Sequence, residues 1–152
     1  MWIVWVVIII LSISLYTQYH RRQKLISLAE LFKIQSNAQQ KTPQIDEISI
    51  GYIYGMARRL SSNVSKSKKD FLELAGLIYG TNKANQAMLA LLEYSTQEDS
   101  KKKTFIKAAN TAMEDVNNMS ALLSSHDPLG KNTQTKMPEG LSRLYKEQKK
   151  KS

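Results

Sequence analysis

Cysteine is absent from all 152 residues. That excludes a disulfide-stapled module, thiolate metal sites and a cysteine nucleophile. Histidine is nearly absent: His20 and His126 lie far apart in the chain, which leaves no imidazole cluster for a metal or a catalytic pair. No phosphate-binding loop is present, because Gly76-Leu-Ile-Tyr-Gly80 lacks the lysine and hydroxyl that should follow. No Gly-x-Ser-x-Gly elbow is present either. Asp46-Glu47 and Glu114-Asp115 are adjacent acids, and neighbours on a helix point apart rather than converge on one substrate. His126-Asp127 reads as a helix-end cap or turn. No set of residues offers a nucleophile, a base and an oxyanion donor together. The sequence therefore reads as a non-enzyme with no catalytic, cofactor-binding or metal-ligating set.

Acids are also scarce. Thirteen Asp and Glu face 22 Lys and Arg, for a net charge of +9. Long apolar runs are scarcer still: there is one, from Trp2 to Leu15, broken only by Ser12 and Ser14. Extended through Tyr19 it measures roughly 27 Å as a helix, close to the hydrocarbon thickness of a bilayer. Trp2 and Trp5 sit at one end, Tyr16 and Tyr19 at the other, as in the aromatic belts of membrane spans. A cleaved signal peptide would carry a basic residue before the apolar run, and none is there. A core helix apolar on every face would need more protein around it than this chain supplies. The run reads as an uncleaved single transmembrane anchor, residues 1–19. His20, Arg21, Arg22 and Lys24 close it on one flank only, so the positive-inside rule puts the rest of the chain in the cytoplasm, at an inner (plasma) membrane.

The basic residues are clustered. Arg21, Arg22 and Lys24 follow the anchor; Arg58, Arg59, Lys66, Lys68 and Lys69 form a second group; Lys149, Lys150 and Lys151 end the chain. Beside an anchor, such clusters read first as contacts to anionic lipid, worth about 1 kcal/mol per residue near the surface, or to an acidic partner. Nucleic acid is the weaker reading, since only Tyr145 lies among the terminal basic residues as a stacking aromatic.

The remaining chain patterns as all-α. Leu25, Leu28 and Phe32 share a stripe, with Leu31 beside it, so residues 20–36 read as a juxtamembrane helix. Polar residues 37–42 read as a linker, and 43–126 as a helical domain of about four helices. Thr42-Pro43 resembles a helix start. From Ile45 to Leu60 a helical stripe competes with a period-two strand pattern, and helix is chosen because no second strand exists to pair with it. Gly51 and Gly55 then form a Gly-x-x-x-Gly face, read as a close helix–helix contact inside the domain or, alternatively, between copies.

Ser67 with Asp70 resembles a capping box. A further helix is expected from about Asn82 to Tyr94, and Thr96 is expected to cap the last long one. There Phe105, Ala109, Ala112, Val116, Met119 and Leu123 form the clearest amphipathic stripe. Residues 127–152 read as a flexible basic tail.

An anchor, a helical domain and no chemistry together imply an interaction component of a membrane-associated assembly, such as a secretion, transfer or envelope complex. Its partners would be the bilayer and a protein. A membrane-active protein of phage lysis or exclusion type is one alternative, and a membrane-tethered nucleic-acid-binding protein another.

Overall fold

The computed structural model describes residues 1–38, 42–61, 63–124 and 138–151. Six helices occur among them: α1 (Trp2–Asn37), α2 (Glu47–Leu60), α3 (Val64–Tyr79), α4 (Thr81–Thr96), α5 (Ser100–Ser124) and α6 (Gly140–Lys151). No strand occurs among the described residues.

α1 is continuous through 36 residues, about 54 Å of helix. Its first half, through Tyr19, is exposed on every side, and it is the one described helix long and apolar enough to cross a membrane. Ser12 and Thr17 return their hydroxyl hydrogens to the carbonyls of Ile8 and Ser14, at 2.8 and 2.9 Å, so neither presents an unpaired donor. Its second half is core. Leu25, Leu28, Ala29, Leu31 and Phe32 are buried, and so are Gln35 and Ser36. The boundary drawn from sequence between a juxtamembrane helix and a domain beginning at residue 43 is therefore corrected. The packed part begins at Leu25, because the stripe on α1 from there to Ser36 is one wall of the core.

α2 runs through the middle. Ile48, Ile50, Tyr52, Ile53, Met56 and Ala57 are all buried, and α3, α4, α5 and α6 surround it. A helix covered on all sides needs apolar residues on all sides. That is the source of the ambiguous pattern at 45–60, where apolar residues satisfied two periods at once. The close approach to α5 occurs at two glycines. A Cβ on Gly51 would lie 2.4 Å from the Phe105 carbonyl oxygen, and one on Gly55 2.1 Å from that of Ala109. The Gly-x-x-x-Gly face is thus occupied by α5 of the same chain.

Three helix starts differ from the sequence reading. Asp46, not Thr42-Pro43, caps α2, its carboxylate accepting from the Ser49 amide at 2.7 Å. Asn63 caps α3 through the Lys66 amide at 2.8 Å. That leaves Ser67 and Asp70 inside the helix and buried. Asp99, not Thr96, accepts from the first amides of α5, those of Lys101 and Lys102. At α2 and α5 a carboxylate has the advantage over a hydroxyl that it also meets the helix dipole.

On α5, Phe105, Ala109, Ala112 and Val116 are buried and Met119 is partly buried; the side chain of Leu123 lies outside the described residues. The expected flexible tail is corrected for its second half. Residues 140–151 form α6, which buries Leu141, Leu144 and Tyr145 against α1, α2 and α5. His126, Asp127, Pro128, Leu129 and Gly130 lie outside the described residues.

Candidate functional site

The candidate surfaces are set by one axis. α2 runs back along α1, so that Tyr52 meets Gln35 and Phe32 while Leu60 and Arg59 come level with His20 and Lys24. α3 starts at that same end: Arg21 and the Ser61 hydroxyl both donate to Asp70. Arg58, Arg59, Lys66, Lys68 and Lys69 therefore gather beside the end of α1 where the apolar run stops. α6 starts at Gln35 and runs away from that end, and Lys151 reaches Ile48 and Thr104. Gln35 is already about 21 Å along the helix from Arg21. The basic residues grouped from sequence as contacts to anionic lipid or an acidic partner thus lie as two sets at opposite ends. Lys149, Lys150 and Lys151 form the one remote from the apolar run.

Arg21, the first fixed charge after that run, is pinned. Its guanidinium pairs with Asp70, whose side chain is 1% exposed and also accepts from the Ser61 hydroxyl. Arg21 is thus a strut between α1 and α3 rather than a free contact. Arg22 and Lys24 are exposed. Trp2, Trp5, Tyr16 and Tyr19 are each more than 60% exposed, so none of the described residues covers them.

Two grooves flank α1. One, about 350 Å³, lies between α1 and the α2–α5 pair. His20, Lys24 and Arg59 rim it, and Leu28, Leu60, Val116 and Met119 line it. Among the described residues no acid lines it. The His20 ring sits edge-on to Tyr16 and Tyr19, with centroids 4.2 and 6.0 Å away. The other, about 620 Å³, lies between α1, α3 and α4, with Leu25, Leu72 and Leu77 among its walls and Gly76 among its lining. A Cβ added at Gly76 would meet nothing within 4 Å.

A third feature is internal. Gln35 Nε2 donates to the Tyr52 hydroxyl at 3.2 Å, and that hydroxyl donates to Asp115 at 2.5 Å. Asp115 accepts the Gly140 amide at 3.1 Å, and Gln35 Oε1 accepts the Leu141 amide at 2.9 Å. The ring closes on the first turn of α6 and joins four helices. Tyr145, farther along α6, donates to Asp46 at 3.0 and 3.1 Å and contacts the Ser49 hydroxyl. Burial pushes the Tyr52 hydroxyl well above the usual phenol range, and the Asp115 charge adds to it. Burial likewise raises the Asp115 carboxyl, against lowering by Tyr52 and the Gly140 amide. Each of these groups has a hydrogen-bond partner, and a cavity of about 350 Å³ reaches the ring at Asp115 and Gly140.

Among the described residues no group of three or more His, Asp and Glu is placed to hold a metal. No family model matches the chain, and neither the curated proteins nor the solved structures contain a match to it.

The sequence reading missed Gln35, Asp70 and Asp115, and a signal for each was present. Gln35 continues the 25, 28, 32 stripe; Asp70 is in phase with Leu74; Asp115 is in phase with Ala112 and Met119. A polar residue in step with an apolar stripe has to be buried with it, and hence to be paired.

Proposed function

We propose that the protein is a single-pass membrane protein in which residues 2–19 span the bilayer and the helical domain, on the cytoplasmic side of an inner membrane, holds a partner protein of a membrane-associated assembly. The proposal is non-enzymatic: the domain is a docking body carried at a fixed height above the bilayer. The α1–α3–α4 groove is the observation that carries the partner reading. It is apolar at Leu25, Leu72 and Leu77 and open above Gly76, and Leu89 and Leu92 on α4 stay exposed. A groove of that kind accepts the apolar face of an amphipathic helix. The continuity of α1 supports a rigid link, since the helix that would span the bilayer is also a wall of the groove.

The test is affinity capture of the full-length protein from solubilised membranes, beside a Gly76→Trp variant that fills the groove from its open side. A stoichiometric protein captured by the native chain and lost from the variant supports the reading. Capture of lipid alone by both forms would turn the assignment to a membrane-active protein.

A further inference from the structure

We propose that the groove rimmed by His20, Lys24 and Arg59 holds the phosphate of one anionic membrane lipid, a stoichiometric site distinct from diffuse adsorption. The inference rests on the reading that residues 2–19 span a bilayer. On that reading, His20 directly follows the span and Lys24 lies about one turn beyond it. Both stand where headgroup phosphates lie.

Four observations converge. The rim draws its cations from two elements, Lys24 from α1 and Arg59 from α2, and among the described residues no acidic side chain lines the groove. Neither cation takes part in an ion pair among the described residues. Arg59 is oriented, because its Nε donates to the Asn117 side-chain oxygen. Its terminal nitrogens are left for a fork-like contact with phosphate oxygens. The floor of Leu28, Leu60, Val116 and Met119 is apolar, which suits the glycerol and first acyl carbons that follow a lipid phosphate, with methionine as the adaptable contact. The volume of about 350 Å³ falls at the small end of ligand sites of roughly 300–1,000 Å³. It takes a headgroup and the root of a chain, with the tails left in the bilayer.

Lys66, Lys68 and Lys69 are different. They are exposed on the first turns of α3 and converge on no cavity. They would attract an anionic surface without selecting a molecule. A free phosphate would satisfy the same cations but would leave the apolar floor unused, so the two sources separate by experiment.

Full-length protein would be purified in mild detergent and titrated with phosphatidylglycerol or phosphatidylcholine under native mass spectrometry. The expected result is one phosphatidylglycerol retained per chain, in preference to phosphatidylcholine. The Lys24→Gln/Arg59→Gln double variant should bind phosphatidylglycerol roughly 25-fold more weakly, at about fivefold per cation. Both side chains are exposed, and an unchanged far-ultraviolet circular dichroism spectrum would confirm that the variant folds. Neutralising Lys149, Lys150 and Lys151 together to Gln should leave binding unchanged. Equal retention of the two lipids, or full retention by the double variant, would overturn the proposal. Displacement of the lipid by millimolar inorganic phosphate would assign the site to a soluble phosphate and overturn the lipid. Alkaline extraction of native membranes separates the two readings. Release of the protein would remove the anchor and this site with it. Retention of the protein without phosphatidylglycerol preference would remove this site alone.

Discussion

The Tyr52 hydroxyl and the Asp115 carboxylate meet at 2.5 Å in the interior, where Tyr52 is wholly buried and Asp115 is 8% exposed. They belong to helices adjacent in space but far apart in sequence, and Asp115 passes the contact on to the Gly140 amide. The first turn of α6 is thereby held by a side chain from α5, in the way that a cap residue holds its own helix.

Asp115→Ala should destabilise the protein by roughly 2–4 kcal/mol, because it leaves the Tyr52 hydroxyl and the Gly140 amide buried without an acceptor. Asp115→Asn retains a carbonyl oxygen and should cost less. The pH dependence follows from the raised Asp115 carboxyl. A carboxyl that protonates more readily folded than unfolded makes the fold more stable in acid. Its contribution should fall as pH rises from the ordinary carboxylate range through the raised value, then level off. Asp115→Asn should remove that component of the slope, as measured by denaturation midpoints across pH.

Arg21 and Asp70 couple the end of the apolar run to α3. Arg21→Ala should cost about 1–3 kcal/mol, because it leaves a buried carboxylate with only the Ser61 hydroxyl; solvent access to the arginine keeps the figure below that of a fully buried pair. Faster amide exchange over residues 21–28, with little change in α5, would show that the loss is in this strut.

Three helical glycines are expected to respond in different ways. Gly55→Ala places a Cβ 2.1 Å from the Ala109 carbonyl oxygen. It should destabilise by about 1–3 kcal/mol as α2 and α5 are forced apart. Gly51→Ala, at 2.4 Å from the Phe105 carbonyl oxygen, should behave alike. Gly76→Ala meets nothing and should stabilise by about 0.5–1 kcal/mol through helix propensity. Thermal melts of the three variants test the α2–α5 contact directly.

The absence of cysteine makes the height of each basic cluster measurable. Single cysteines at Lys66 and Lys150 can carry a fluorophore in the reconstituted full-length protein. Quenching by headgroup-labelled lipid is expected at 66 and not at 150. Equal quenching at both would contradict the axis along which α1 and α6 lie. Loss of the 66 signal at high salt with the protein still bound would separate charge attraction from anchoring, since a spanning helix does not depend on charge.

Much of this was legible in the chain. The apolar run, the helical character and the α5 stripe are local patterns that a helix expresses by itself. Helix starts were less legible, because more than one side-chain acceptor lay within a few residues of each. Asp46, Asn63 and Asp99 prevailed over Thr42, Ser67 and Thr96. Leu141, Leu144 and Tyr145 could be seen as one short apolar patch in a basic tail. Whether that patch had somewhere to dock depended on Gln35 and Asp115, more than twenty residues away in each case.

By itself, then, the sequence determined that this is a helical protein with one apolar run long enough to cross a membrane. Those conclusions need only composition and periodicity. The tertiary structure decided the rest. It made the second half of α1 part of the core, spent the glycine face on α5, turned the tail into a sixth helix, and sent the basic clusters to opposite ends. The reason is physical: which buried polar groups find partners, and which charges share a surface, are set by the packing of whole helices across long sequence separations. Lys69 and Lys149 have the same chemistry, and only the direction in which α3 and α6 run from their contacts with Arg21 and Gln35 makes them different.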